Sequence, residues 1–213
     1  MTGLRERKKR QTRQHISDVA TGLFLERGFD AVTVAEIAEA ADVSVNTVYN
    51  YFPAKEDLFF DRATATIDRP ARRVLERAPG QSAAEAVLGG LREDIVERTP
   101  WAGLSEGYAH FMRTAFASPA LLHRMREMQL QMGQRLAQVL REEAGAAPDD
   151  RIPELIADHL ILLQSSLMRA GGACLLNDVP PAQAAERMLK MLDDAEWLLS
   201  DRVLDYARRP AES

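Results

Sequence analysis

Residues 33–58 read TVAEIAEAADVSVNTVYNYFPAKEDL, and the fold is decided there. Thr33 followed three residues later by Glu36 is a capping box, which satisfies two orphan backbone donors and opens a short helix with Ile37, Ala38 and Ala41 on its buried face. Ala41-Asp42-Val43 forms a turn, Ser44 caps a third helix running to about Tyr51, and Val48 and Phe52 point inward at helical spacing. Upstream, Ile16, Val19, Ala20, Leu23 and Phe24 make the stripe of a longer amphipathic helix. It stops at Arg27-Gly28-Phe29, where glycine suits the residue past the end and Phe29 closes a contact back onto the helix. Downstream, Pro53 precedes a fourth helix expected from Ala54 to about Glu76, kinked near Pro70. Two short helices joined by a tight turn and packed on a longer one form a helix-turn-helix, whose second helix enters the major groove.

The outward positions of that helix are small or polar. Asn46 and Asn50 each offer a donor and an acceptor that match adenine, and Val45 can touch a thymine methyl. Thr47, Tyr49, Tyr51 and Lys55 carry hydroxyls or an ammonium suited to phosphate oxygens.

The stretches from Phe24 to Ala38 and from Val43 to Leu58 resemble the DNA-binding domain of the TetR family of bacterial transcriptional regulators. Caps, glycine, the Thr-aliphatic-Tyr core (Thr47-Val48-Tyr49) and the Phe-x-x-Lys ending (Phe52 to Lys55) coincide over about 45 residues. The resemblance implies an all-α homodimer, with an N-terminal three-helix DNA-binding domain and a C-terminal helical ligand-binding and dimerisation domain. It implies binding to palindromic double-stranded operator DNA, usually as a repressor, and release by a small-molecule effector. The family's DNA contacts map onto Thr33, Val34, Ala35, Ser44, Val45, Asn46, Thr47, Tyr49, Asn50, Tyr51 and Lys55. Asp42 stands where the family's turn usually has glycine; Asp is one of the few residues that tolerate the left-handed conformation needed there. Ala35 offers no hydrogen bond, so base reading from the second helix is expected to be weak.

Composition agrees. Among 213 residues, 57 Ala and Leu outnumber 19 Val and Ile, an excess of helix formers that favours an all-α fold. The abundance of Arg over Lys hints at a GC-rich bacterial source. The net charge of −5 would by itself argue against nucleic acid, yet it is unevenly distributed. Residues 1–15 hold six Lys or Arg against Glu6 alone, residues 16–60 are net −6, and residues 61–213 are net −4. Anion binding is therefore expected at one edge. The longest strictly aliphatic run, Leu160 to Leu163, is far short of a membrane span, which needs roughly 20 residues. No signal-type apolar stretch follows the basic start, so the expectation is a cytoplasmic protein with no membrane partner. A single cysteine, Cys174, excludes an internal disulfide. The chain has no paired Glu-x-x-His for a di-metal site, no His-Glu-x-x-His, no P-loop and no Gly-x-Gly-x-x-Gly. No enzyme activity, metal or cofactor is expected.

The chain divides into a DNA-binding domain over 1–53 and an effector and dimerisation domain over 54–213. Helices are expected over 83–98, from Pro100, from Pro119 to about 144, over 152–177 and from Pro181. The 152–177 helix is apolar nearly all round, and Gly171-Gly172 would let a neighbour approach closely. With the helix after it, it suggests a four-helix dimer seam. The seam candidates are Leu160, Leu163, Leu167, Gly171, Cys174, Met188, Leu192, Ala195 and Leu199. Candidate lining residues for an apolar effector cavity are Phe59, Trp101, Tyr108, Phe111, Met112, Phe116, Met125, Met128 and Met132. Alternative readings keep the DNA-binding head but make the body a sensor of a partner protein or of nothing, or make the protein an activator.

Overall fold

The computed structural model describes residues 3–61, 63–105 and 107–211. Among these there are eleven α-helices and no strand: α1 Leu4–Arg27, α2 Val34–Ala40, α3 Val45–Tyr51, α4 Lys55–Phe59, α5 Arg69–Glu76, α6 Ala83–Val96, α7 Tyr108–Ala117, α8 Pro119–Ala144, α9 Ile152–Leu176, α10 Pro181–Leu198 and α11 Asp201–Leu204. Short 3-10 turns occupy Ala63–Thr66 and Pro100–Ala102. The chain forms two compact units, one of residues 1–64 and 110–125 and the other of 65–109 and 126–213. Residues 54–64 and 110–125 thus pack with the N-terminal head, although the sequence alone assigned them to the body. The division falls inside α7 and α8.

In the first unit, Phe24, Phe29, Phe59 and Phe60 are buried; Phe24 meets Phe29 and Phe59 at a tilt, Phe59 meets Phe29 and Phe60 edge to face, and Phe111 lies 4.4 Å from Phe59 in parallel. Such ring pairs stabilise beyond their area burial. Gly28 ends α1 with φ +85° and ψ 151°, a combination open essentially to glycine, and its N–H still reaches the Phe24 carbonyl at 2.9 Å. The expected continuous helix over 54–76 is in fact α4, a 3-10 turn and α5. Pro70 does not kink a helix; it sits in the first turn of a new one, where its missing donor costs nothing. Pro100 likewise starts only a 3-10 turn before α7.

The second unit is built on α6. Val87, Leu88, Leu91 and Ile95 pack with Leu136 and Leu140 of α8, Leu160 and Leu167 of α9, and Met188 and Leu192 of α10. α9 and α10 come close because a methyl built on Gly171 would lie 2.5 Å from Met188 Sδ. A buried Arg77 guanidinium holds the chain's end by donating to the Ala207 carbonyl at 2.7 Å and pairing with Glu143 at 2.6 Å.

Five of the nine seam candidates are covered within the chain itself. Leu160, Leu167, Gly171, Met188 and Leu192 are fully buried, and Leu163, Cys174, Ala195 and Leu199 are half-buried. A heptad identifies residues that share a face but not what covers it, and here α6, α9 and α10 cover one another. α9 is long and apolar enough to cross a membrane, with a mean hydropathy of 1.2 over its best window. Its inner face is nevertheless part of the protein core.

Asp42 adopts φ +53° in the helix-turn-helix turn, as its place in the sequence requires. Asp42→Val is expected to cost about 1–2 kcal/mol, whereas Asp42→Gly should leave stability unchanged or raised. Chemical denaturation of the two variants checks this.

Candidate nucleic-acid interface

Helix α3 presents four neighbouring side chains to solvent, at positions i, i+1, i+4 and i+5: Val45, Asn46, Tyr49 and Asn50. Tyr49 is 48% exposed, while Val48 and Phe52 on the opposite side are buried. Ser44 caps the helix through its Oγ, which accepts the Thr47 N–H at 3.1 Å, and the two hydroxyls bond each other at 2.8 Å. Thr47 and Tyr51 are half-buried. Neither asparagine makes a side-chain hydrogen bond among the described residues, so both amides are available to base edges.

Arg13 holds this helix in place. Its Nη1 donates to the Tyr51 carbonyl at 2.7 Å, at the last turn of α3. Its Nη2 pairs with Asp61 at 2.6 Å, and its guanidinium lies 4.3 Å above the Phe52 ring. A cation at a helix C-terminus satisfies orphan carbonyls and complements the dipole. The sequence reading counted Arg13 with the basic start. The structure gives it a bracing role that no local signal announces, because its partners lie 38 and 48 residues away.

The remaining basic residues at the start, Arg5, Arg7, Lys8, Lys9 and Arg10, form the exposed first turns of α1. The arm is therefore helical, with its charge free for phosphate contact. Lys55, expected to meet a phosphate oxygen, also makes contacts inside the head. Its Nζ donates to the Phe29 carbonyl at 2.6 Å and lies 4.2 Å from the centre of the Phe29 ring. Burial pulls its pKa below the usual lysine value, against the opposing charges of Asp30 and Glu56. In α2, Val34 is half-buried and Ala35 exposed. Thr33 is committed to the capping box: its Oγ1 donates to Glu36 at 2.7 Å and accepts the Glu36 N–H at 3.2 Å.

Residues 110–125 fasten to the same unit through polar contacts. His110 Nε2 donates to the Leu25 carbonyl at 2.9 Å, Ser118 Oγ to Asp30 at 2.8 Å, and Arg124 pairs with Asp57 at 2.9 Å. Asp57 also accepts the Ala54 N–H at the start of α4.

The expected apolar cavity residues divide between the two units. Phe59 and Phe111 are taken up by the ring cluster, and Met112 is buried in the first unit. Met125 is half-buried and Phe116 exposed. Trp101, Tyr108, Met128 and Met132 belong to the second unit. Within that unit a cleft of about 20 Å³ includes Trp101 alone of the nine, between the polar Arg69, Arg73, Asp94 and Gln164 and the apolar Pro70, Val87 and Leu91. Helical spacing cannot separate a lining residue from a core residue, because both are apolar on one face.

Comparison with known proteins bears on these features. The family described as "Bacterial regulatory proteins, tetR family" matches residues 16–61. The HTH-type transcriptional regulator TcmR of Streptomyces glaucescens is 32% identical over 158 residues, covering 70% of this chain and 67% of that protein. The HTH-type transcriptional repressor KstR of Mycolicibacterium smegmatis is 37% identical over 70 residues, 30% of this chain and 34% of its own. Among solved structures, native NalD of Pseudomonas aeruginosa, described as the secondary repressor of a multidrug efflux pump, superposes with a TM-score of 0.57 at 19% identity. It covers 87% of this chain and 97% of its own. A complex of SmeT with triclosan superposes at 0.60 with 16% identity, covering 95% and 99%. These structures share the fold.

The Glu36 carboxylate is held at about 2, down from 4.5, by the Arg27 guanidinium and by the Thr33 N–H and hydroxyl. A depressed carboxylate stabilises the fold above its unfolded pKa, and that stability is lost as pH falls through the folded value. The stability gap between the wild type and Glu36→Gln should therefore be widest above pH 4.5 and shrink steadily towards pH 2. Denaturation at a series of pH values reads it, and a constant gap would contradict the assignment.

Proposed function

We infer that this chain, which belongs to the tetR family of bacterial regulatory proteins and is a DNA-binding transcriptional regulator, works in the bacterial cytoplasm as a homodimeric repressor of a near-palindromic operator and is released by a small-molecule effector. The observation that carries the reading is the braced α3, with Val45, Asn46, Tyr49 and Asn50 on its open face. The asparagines and Val45 read base edges. Ser44, Thr47, Tyr49, Tyr51 and the first turns of α1 meet phosphates, with Thr33, Val34 and Ala35 alongside at the start of α2. Lys55 supports the site by holding the Phe29 carbonyl and keeps donors for a phosphate. The DNA-binding domain of residues 1–53 packs with residues 54–64 and 110–125, and the remainder of 54–213 carries effector binding and dimerisation.

The dimer face lies on the outer side of α9 and the end of α10, in place of the seam residues buried within the chain. Leu155, Leu162, Ser166 and Ala173 share one face of α9, and Leu162 is 59% exposed. At the end of α10, Trp197 is 84% exposed with Leu198 beside it. Exposed large apolar residues of this kind mark interaction surfaces. Paired heads then meet successive major grooves. Moving from mostly bound to mostly released needs an effector that favours the released state by roughly 10⁴-fold. Residues 110–125 are where such a change would reach the head, since α7 and α8 each run through the division between the units.

A gel-shift with DNA from the region upstream of the gene tests the reading. Binding should weaken about 10³-fold between 50 and 200 mM salt, as expected for six or more phosphate contacts. Asn46→Ala should lower base discrimination by about 1–3 kcal/mol at one operator position per half-site. Leu162→Glu should yield a monomer by sedimentation and lose operator binding. Sequence-independent binding by the unaltered chain would refute the proposal.

A further inference from the structure

The cleft in the second unit has a chemistry that the apolar expectation did not foresee. Arg69 and Arg73 of α5 converge on the single carboxylate of Asp94 in α6. Asp94 is buried and fully engaged: Oδ1 accepts from Arg69 and from the Thr99 hydroxyl, and Oδ2 from Arg73 at 2.6 Å. Two guanidiniums against one carboxylate leave a net positive charge in a partly desolvated place. Glu93 also acts on Arg73, but it is exposed, so water screens its charge.

Arg73 is held firmly. Its guanidinium lies on the α6 backbone at Gly90, where an added methyl would fall 2.0 Å from Nη1. Its one other bond, to the Val87 carbonyl, is long at 3.4 Å. Each guanidinium carries five N–H donors, and Arg69 spends only its Nη2 on Asp94. The Arg69 guanidinium lies 5.1 Å from the centre of the Trp101 ring, and Trp101 is 38% exposed. Gln164 of α9 completes the wall with an amide whose one bond is a weak 3.4 Å contact to Met132 Sδ. Donors therefore outnumber acceptors in the cleft, beside a flat apolar surface.

We propose that this cleft seats the acidic head of the effector, an aromatic carboxylate held by Arg69 and Arg73 with its ring laid against Trp101. A cation buried without full compensation is costly, and an anion with paired oxygens removes that cost through charge-assisted, bidentate hydrogen bonds. The space of about 20 Å³ suits a carboxylate head; the body of the ligand lies outside it, along the indole. This assignment rests on the effector-released reading above and narrows its effector from an apolar molecule to an organic acid.

The test uses the full chain and a matched pair of probes, 2-naphthoate and the uncharged 2-naphthamide, followed by thermal shift over a concentration series. 2-Naphthoate should raise the melting temperature saturably and 2-naphthamide should not. Arg69→Gln should weaken 2-naphthoate binding by about tenfold or more, the effect of losing a hydrogen bond to a charged group. Trp101→Leu should weaken 2-naphthoate but leave the preference for acid over amide. Equal shifts from acid and amide, no shift from either, or unchanged affinity in Arg69→Gln would each overturn the proposal. If Arg69→Gln does not fold, the acid and amide comparison in the unaltered chain decides alone. Operator binding measured in the same titration separates the two readings. Charge-dependent binding of 2-naphthoate with DNA still bound at saturation supports the anion seat and removes effector release.

Discussion

Helix α3 has seven residues, well below the roughly 12–15 at which an isolated helix becomes even marginal in water. Everything the head does depends on holding those two turns in one orientation, and the helix cannot do this by itself. Its start is closed by Ser44, its inner face by Val48 and Phe52, and its end by Arg13, whose guanidinium joins the last turn to α1 and to Asp61. The brace leaves the outer face free of internal hydrogen-bond obligations. An interface that reads bases needs that combination, because a loosely held asparagine would give up its geometric preference to its own motion.

The same economy explains why the head reaches beyond the helix-turn-helix itself. Lys55 ties the start of α4 to the Phe29 carbonyl, and His110, Ser118 and Arg124 tie later helices to the same small unit. These are polar contacts around a ring cluster of only five phenylalanines. A small unit buries a limited apolar area, so a few directed bonds carry a large share of its rigidity.

The body shows how one residue type serves different ends. Apolar side chains at heptad spacing on α9 and α10 were legible as a buried seam, and burial is what the structure gives them. The partner is another helix of the same chain. What remains outside is the less regular set of Leu155, Leu162 and Trp197. The cleft was wholly illegible: Arg69, Arg73 and Asp94 are 21 to 25 residues apart, on two helices with no motif, and their meaning as a positively charged recess exists only once α5 lies against α6. The net charge of −5 misled in the same way, since total charge says nothing about which cations end up facing outward.

The sequence by itself determined the all-α class, the capped starts of α2 and α3, the left-handed Asp42 and the inward pair Val48 and Phe52. Each of these is set by interactions within a few residues, through caps, helical period and backbone sterics. The tertiary structure alone decided that Arg13 and Lys55 serve as braces, that five of the seam candidates on α9 and α10 are covered within one chain, and that two arginines share one aspartate. Those outcomes depend on pairings between distant residues, whose geometry arises only when whole helices pack, and no local pattern encodes which helix will be the neighbour.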